Sequence, residues 1–152
     1  TNSLIEYSAT FGSIQIFEYL LNQLTELPQH ILLAAVLGGS FDIIHILEQK
    51  GYKPNTFVTF RSILAHQNKL FDYFISNHSI QIRDDFIGDS LRSTNYYVFN
   101  ELLIKKPEYL TKIEYINYLF SDACSYDTRV LFNALYDLPD IDVNVEKEIF
   151  FF

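Results

Sequence analysis

The chain has 152 residues, of which 49% are apolar, and it carries 19 acidic against 11 basic side chains for a formal net charge of −8. This length and composition indicate one globular domain with a buried core and exclude a disordered tail. The negative charge argues against nucleic acid and anionic membrane surfaces as partners, because both are bound mainly through clustered Lys and Arg.

Helical pairs are predicted along the whole chain. Apolar content and length predict a first helix in each pair at residues 4–11, 29–37, 57–65, 83–93 and 113–123. Pro28 lies where the first residue of the second of these helices is expected, a position that accepts proline. Gly88 interrupts the stretch 83–93, which also has fewer large apolar residues than the others.

A second helix follows in each pair and repeats along the sequence. Five segments align, at residues 12–20, 39–47, 66–74, 94–102 and 127–135, and their successive spacings are 27, 27, 28 and 33. The second position of each segment holds a residue that, in four of the five cases, is a good helix N-cap: Ser13, Ser40, Gln67, Asn95 and Thr128. A spacing of this kind indicates stacked helical units.

Each repeated segment carries an apolar stripe at i, i+1 and i+4. The pairs are Ile16-Phe17, Ile43-Ile44, Leu70-Phe71, Val98-Phe99 and Leu131-Phe132, followed by Leu20, Leu47, Phe74, Leu102 and Leu135. This spacing predicts one buried face on a helix of about three turns. Small residues stand four positions before the first three segments, at Ser8, Ala35 and Ser62, and predict a close approach of the paired helices.

The stretch GGSFDIIHIL at residues 38–47 resembles the second helix of the ankyrin repeat. Gly39 and Ser40 stand for the Gly-His of that family, Asp42 for its acidic residue and Ile43-Ile44 for its branched pair. The last of the four spacings equals the repeat period of the family. The resemblance extends over the whole chain, most clearly at residues 3–78 and 125–144.

The closing turn of the ankyrin repeat is similar to LPDIDVN at residues 138–144, through Asp142, Val143 and Asn144. The Thr-Pro-Leu-His opening of the family is absent, and three spacings are five or six residues short. These departures predict tight turns between the pairs in place of long β-hairpin fingers. Tetratricopeptide and other helical-pair repeats remain alternatives, although they use periods of about 34 residues or more.

The resemblance implies an all-α solenoid of stacked helix-turn-helix repeats. We expect residues 1–152 to form one domain of about five helix pairs, with a sixth pair beginning at residues 145–152, and both ends to be breaks within a longer chain. A single cysteine, Cys124, excludes an internal disulfide and favours a reducing, cytoplasmic location. The opening residues TNSLIEYS show neither the basic nor the apolar region of a signal peptide, and no apolar run among the 152 residues is long enough to predict a membrane span.

No catalytic, metal-binding or cofactor-binding residue is predicted. The four histidines and Cys124 lack the ligand spacing of zinc motifs, and no base can be assigned to Cys124. The acidic stretch DDFIGD at residues 84–89 lacks the EF-hand order of ligands and is interpreted as a solvated loop or helix start. No phosphate-binding glycine loop is present.

The expected function is therefore a non-catalytic, monomeric protein–protein interaction scaffold. The resemblance implies a contact surface on the concave side, formed by first helices and loop tips, and the matching positions are Gln29, His30, Tyr52, Lys53 and Asn55. The acidic balance favours a basic segment of another protein as the partner. Three alternatives stay open: a targeting arm of a larger enzyme, a catalytic site hidden within these residues, and a purely architectural spacer.

Overall fold

The computed structural model describes residues 3–136, and no strand occurs among them. The helices are α1 (Leu4–Thr10), α2 (Ile14–Leu21), α3 (Ile31–Gly38), α4 (Phe41–Gln49), α5 (Thr56–Leu64), α6 (Asn68–Asn77), α7 (Asp85–Arg92), α8 (Tyr96–Lys105), α9 (Ile113–Ser125) and α10 (Arg129–Tyr136), with a short 3-10 helix at Pro107–Leu110. The all-α prediction is confirmed for this part of the chain. The predicted closing turn at 138–144 and the predicted start of a sixth pair at 145–152 lie outside the described residues.

One turn geometry recurs between the two helices of every described pair. Five residues at these turns adopt left-handed backbone conformations with φ between 50° and 68°: Gly12, Gly39, His66, Thr94 and Asp127. The N–H of the next residue donates to the carbonyl five residues earlier, as in Ser13 N to Ser8 O at 2.8 Å. This arrangement is the Schellman motif, which ends a helix and satisfies its free carbonyls. The five turns fall at the five repeat positions predicted from the sequence.

The small residues Ser8, Ala35 and Ser62, four positions before the first three turns, are buried. Ser90 and Ala123 occupy the same position in the later pairs and are buried as well. The three serine hydroxyls donate to the carbonyl three residues earlier at 2.6–2.7 Å, so no hydroxyl is buried without a partner at these positions.

The chain divides into two compact units, residues 1–82 and residues 83–152. In the first unit, α1 packs on α3 and α3 packs on α5, while α2 packs on α4. The Gln67 side chain, at the turn of the third pair, donates to the Leu37 carbonyl at 3.4 Å. The turns of the second and third pairs therefore lie side by side. The core contains large side chains from several helices of this unit, including Ile5, Phe17, Ile44 and Phe74.

The close packing of α1 and α3 requires a glycine at the end of α3. A Cβ atom on Gly38 would lie 2.5 Å from the Ala9 carbonyl oxygen and 2.6 Å from that of Thr10. Because real Cβ atoms do not approach backbone oxygens so closely, any side chain at Gly38 would push the two helices apart.

In the second unit, α7 packs on α8 and on α9, and α9 packs on α10. The 3-10 helix at Pro107–Leu110 lies between α8 and α9 and contacts both. It buries Tyr109. The stretch 83–93, interrupted in the sequence by Gly88, forms the regular helix α7.

Two details of the predicted helices are wrong. Pro28 is not the first residue of α3, which begins at Ile31 with His30 as its N-cap; the Pro28 carbonyl instead accepts from Ile31 N at 3.1 Å. Ile16, predicted to belong to the buried stripe, is exposed, whereas the equivalent Ile43 and Leu70 are buried. Burial at this position depends on a neighbouring helix pair, and none of the described residues covers Ile16.

The predicted N-caps are correct in position but differ in how they act. The Ser40 hydroxyl accepts from Ile43 N at 3.4 Å, and the Asn95 side chain accepts from Val98 N at 3.3 Å. The Ser13 side chain makes no capping hydrogen bond. The Thr128 hydroxyl donates to the Ala123 carbonyl at 3.4 Å, so it supports the preceding turn.

Candidate functional site

The five predicted binding residues all lie in the loops that precede α3 and α5. Gln29 and His30 are exposed directly before α3, and Lys53 is exposed before α5. Asn55 is the N-cap of α5, and its side-chain oxygen accepts from Val58 N at 3.0 Å. The Asn55 side chain therefore stabilises the start of α5. Tyr52 is half-buried and packs against the core of the first unit.

Tyr52 borders a shallow depression of about 430 Å³ in the first unit. The described residues around it are Leu21, Leu24, Thr25, Glu26, Leu27, Lys50 and Tyr52. It combines leucine side chains with the charges of one lysine and one glutamate. The structure therefore brings Tyr52 next to an apolar loop surface that the sequence pattern did not indicate.

The charge of this surface differs from the net charge of the chain. Two exposed lysines, Lys50 and Lys53, lie beside Tyr52, and Glu26 is the acid of the depression. Half of the net negative charge lies at other positions of the sequence, because residues 137–152 contain five acidic side chains and one lysine. The loops before α3 and α5 are therefore not an acidic groove.

A second group of polar side chains joins α4 to α6 around Glu48. Glu48 Oε2 accepts from the Tyr73 hydroxyl at 2.8 Å and lies 3.1 Å from His45 Nδ1. Its other oxygen, Oε1, lies 2.8 Å from His78 Nε2. We call these four residues the Glu48 brace.

The rings of the Glu48 brace pack against one another and against Phe41. Tyr73 meets Phe41, His45 and His78 edge to face, with ring centroids 5.3–5.7 Å apart. Burial, reinforced by the Glu48 carboxylate, raises the pKa of the Tyr73 hydroxyl, so Tyr73 stays a proton donor. Both oxygens of Glu48 face these neighbours, so the carboxylate is held between α4 and α6.

Among residues 3–136, no group of three or more His, Cys, Asp or Glu side chains is arranged to hold a metal ion. The nitrogen and oxygen atoms of the Glu48 brace contact one another directly at hydrogen-bonding distances. Their arrangement therefore supports a cross-link between α4 and α6.

The second unit contains a buried acidic group beneath Gly88. Asp122 of α9 is fully buried, and a Cβ atom on Gly88 would lie 2.5 Å from its Oδ2 and 2.9 Å from the Tyr118 hydroxyl. Burial raises the pKa of Asp89, and the nearby Asp122 carboxylate raises it further.

The stretch 84–89 is the start of α7, which agrees with its interpretation as a helix start. Its apolar residues Phe86 and Ile87 are buried.

Two further positions belong to the second unit. Cys124 is exposed at the edge of a depression of about 450 Å³ between α9 and α10, and no histidine is among the described residues around it. The Lys106 ammonium donates to Asp84 Oδ1 at 2.7 Å. This hydrogen bond is the main cause that lowers the pKa of Asp84, and a hydrogen bond with Tyr109 is the second. Neither position assembles a nucleophile with a base.

Residues 22–105, more than half of the chain, match the family described as a domain of unknown function (DUF3447). The chain belongs to this family. No curated protein and no solved structure matches the chain significantly.

The DUF3447 match begins directly after α2 and ends with the last residue of α8. It includes all five predicted binding residues, the depression beside Tyr52 except Leu21, and the Glu48 brace. The helices α1, α2, α9 and α10 lie outside it. No described helix is long and apolar enough to cross a bilayer.

Sequence reasoning missed the Glu48 brace. His45 and Glu48 are three positions apart on α4, but Tyr73 belongs to α6 and His78 is the C-cap of that helix. The repeat spacing is the signal that places α4 beside α6 and could have brought these side chains together.

Proposed function

We propose that the chain is a non-catalytic protein-binding module, built as an ankyrin-like solenoid of helix pairs. One observation carries the proposal: the same Schellman turn joins the two helices of each of the five described pairs, while the loops before α3 and α5 hold exposed side chains. A fold of this type keeps its core in the helices, and its loops are then free to vary and to bind.

The proposed contact surface lies around Gln29, His30, Tyr52 and Lys53. Tyrosine is a frequent interface anchor because it combines a large apolar ring with a hydroxyl. The leucines of the neighbouring depression supply apolar area, Lys50 at its edge supplies positive charge, and the exposed Lys53 follows Tyr52 in the chain. At this surface we propose a partner segment with apolar and acidic side chains, in place of the basic segment expected from the net charge of the chain, because Lys50 and Lys53 would repel a basic segment.

Binding is tested with the 152-residue chain and the variant Lys50→Glu/Lys53→Glu. Both lysines are exposed, so the double variant keeps the helices intact while it reverses the charge beside Tyr52. Proteins captured from cell extract are quantified by mass spectrometry, and each candidate is purified and titrated against both chains. We expect the affinity of the true partner to fall about tenfold or more.

Lys69→Glu is the matched control, because Lys69 is an equally exposed lysine on α6. The proposed surface requires that Lys69→Glu leaves the affinity unchanged. Equal affinity of all three proteins for every purified candidate contradicts it. That result favours the architectural spacer, which separates flanking segments and needs no contact at these loops.

A further inference from the structure

Arg61 of α5 differs from the other three arginines of the chain. Arg83, Arg92 and Arg129 each form an ion pair with an aspartate two or three residues away. Within residues 3–136, no carboxylate pairs with Arg61, and its neighbours in the sequence, FVTF before it and SILA after it, contain no acid. Its guanidinium therefore carries a charge that no described side chain neutralises.

Two phenylalanine rings of α5 hold this guanidinium in place. Its central carbon lies 5.2 Å from the ring centroid of Phe57 and 5.9 Å from that of Phe60. A cation at these distances is attracted to the face of an aromatic ring. Because these contacts also fix the side-chain conformation of Arg61, less conformational entropy is lost when an anion binds to it.

The guanidinium has a covered side and an open side. Arg61 Nε is buried and has no acceptor among the described residues, while the residue as a whole is half-buried. The two Nη nitrogens also make no hydrogen bond within residues 3–136, but they are not buried. They are therefore accessible to a ligand. Two neighbouring N–H groups of a guanidinium match the two oxygens of a carboxylate.

Charge decides which anion fits this position. The helix α3, which packs on α5, has no charged residue, and Arg61 carries the only charge of α5. One positive charge balances one carboxylate. Phosphate groups carry up to about two negative charges and are recognised by clusters of arginine, and nucleic acids and anionic membranes also require clustered Lys and Arg. The position therefore favours a single carboxylate.

The surroundings of Arg61 on α5 are apolar. Phe57, Phe60, Arg61 and Leu64 follow one another at i, i+3, i+4 and i+7, so they lie on one face of the helix. Phe57 is 51% exposed, and Phe60 and Leu64 are half-buried. We call these four residues the α5 stripe. It offers apolar area on both sides of one charge, which fits an acidic side chain with apolar neighbours.

We propose that the α5 stripe binds a segment of a partner protein in which one Asp or Glu lies between apolar residues. The carboxylate accepts from the Nη groups of Arg61, and the apolar residues pack on the other three side chains of the stripe. Because α5 begins directly after Asn55, the stripe extends the loop surface of the proposed function along the helix. The inference rests on the proposed function, since the segment belongs to the same partner, and it adds Arg61 as the residue that selects an acid.

The test follows the Nε–H signal of Arg61 by NMR while the 152-residue chain is titrated at low salt. The chain has four arginines, and the signal that disappears in Arg61→Lys is that of Arg61. The probes are a leucine-glutamate-leucine peptide with blocked ends, the same peptide with glutamine in place of glutamate, and inorganic phosphate. We expect the glutamate peptide to shift this signal to saturation and to bind about tenfold or more tightly than the other two probes.

Variants assign the contact, with binding read from the backbone N–H signals of α5. Arg61→Gln should abolish the preference for the glutamate peptide, and Arg61→Lys should reduce it, because lysine keeps the charge but lacks the paired N–H groups. Arg83→Gln is the matched control, since Arg83 is an exposed arginine that already pairs with Asp85, and it should leave the preference unchanged. Helical circular dichroism shows that each variant is folded. If Arg61→Gln is unfolded, Arg61→Lys and the titration of the unsubstituted chain decide.

Equal binding of the glutamate and glutamine peptides would overturn the proposal, as would phosphate binding as tightly as the glutamate peptide, or a preference that survives Arg61→Gln. The proposed function is judged separately. A purified partner whose affinity falls in Lys50→Glu/Lys53→Glu but not in Arg61→Gln contradicts the role of Arg61 and leaves the loop surface standing. Selective binding of the glutamate peptide at Arg61, with no partner that depends on the two lysines, supports the α5 stripe and contradicts the loop surface.

Discussion

Single residues at the recurring turns hold strain that a substitution could release. Thr94 adopts φ of 58° at the turn before α8, where glycine occupies the equivalent Gly12 and Gly39. A β-branched residue is disfavoured in this region because its side chain crowds the backbone. We predict that Thr94→Gly raises the free energy of unfolding by about 1 kcal/mol, measured by urea denaturation.

The reverse change at Gly12 is the control for Thr94→Gly. A Cβ atom on Gly12 has open space around it, with Ser40 Cβ 3.9 Å away, so Gly12→Ala tests the backbone conformation alone. It should lower the free energy of unfolding by about 1 kcal/mol. A loss of stability in Thr94→Gly would mean that the threonine side chain stabilises the turn more than its backbone strain costs.

The ionisation of Asp89 makes the stability of the second unit depend on pH. Burial raises the pKa of Asp89, and the Asp85 and Asp122 carboxylates add to this against the pull of Arg92. A pKa raised in the folded state makes the protonated form the stabilising one, so stability is lost as pH rises through that pKa. We predict that Asp89→Asn raises the urea midpoint at pH 7, because asparagine resembles the protonated acid.

The difference between Asp89→Asn and the unsubstituted chain should shrink as pH falls through the pKa of Asp89 in the folded state. Urea midpoints of both proteins from pH 7 down to about pH 4 measure this difference, near the ordinary pKa of aspartate. A difference that stays constant over this range, or a lower midpoint for Asp89→Asn at pH 7, contradicts the prediction. The second outcome would mean that the ion pair with Arg92 outweighs burial.

At the scale of helices, the Glu48 brace links α4 to α6 through polar contacts. The Tyr73 hydroxyl donates to Glu48 Oε2 at 2.8 Å, and a hydrogen bond to a charged group stabilises a protein more than a neutral one. We predict that Tyr73→Phe lowers the free energy of unfolding by about 1–2 kcal/mol. Tyr19→Phe, which removes the hydroxyl of an exposed tyrosine, should change it by less than about 0.5 kcal/mol.

A double-mutant cycle with Glu48→Gln assigns the loss to this contact. If Tyr73 acts through Glu48, the two substitutions together cost less than their sum, with a coupling of about 0.5 kcal/mol or more. Additive losses would show that the Tyr73 hydroxyl stabilises the chain through another group.

Helix positions could be predicted because their signals are local. The apolar stripe of residues 39–47 and the glycine before it lie within one segment, and α4 begins at Phe41 as the N-cap Ser40 indicates. Pro28 misled the prediction because a proline before a helix fits several positions in the approach to it. The sequence repeat located each pair, since the turn that ends the first helix of one pair recurs at the matching position of the next.

Burial and the polar sites could not be predicted in the same way, because they depend on which helices become neighbours. Ile16 and Ile43 have the same local pattern, but only Ile43 is covered. Gly88 looks like a helix breaker in the sequence; in the fold it leaves room for Asp122 and Tyr118 of α9. The capping role of Asn55, one of the predicted binding residues, is by contrast a local signal that the prediction missed, because its side chain accepts from Val58 N only three residues along the chain.

Over the whole molecule, charge is distributed unevenly along the chain. The segment 137–152 holds five acids and one lysine, so it accounts for −4 of the net charge of −8. The other half is divided along residues 1–136, and the stretch 1–49 has no Lys or Arg at all. The net charge of the chain therefore does not determine the charge of any one surface, and the charge of a partner depends on the side chains of the surface that it contacts.

The division into two units leads to a prediction about folding. Every buried residue of the core cluster in the first unit lies between Ile5 and Phe74, and Ile80 packs against that cluster from the same unit. A separate core is the physical condition for independent folding. We predict that the fragment 1–82 is helical by circular dichroism and unfolds cooperatively in urea, with a free energy of unfolding of about 3–5 kcal/mol.

A shorter fragment, residues 1–66, is the control because it ends before α6. It lacks Leu70 and Phe74 of the core and the Tyr73 hydroxyl that bonds to Glu48. Loss of two such buried side chains costs more than the expected stability, since each large core side chain contributes about 2–5 kcal/mol. Fragment 1–66 should therefore lack a cooperative transition. If fragment 1–82 lacks one as well, the core of the first unit needs residues beyond 82, and the two units fold only together.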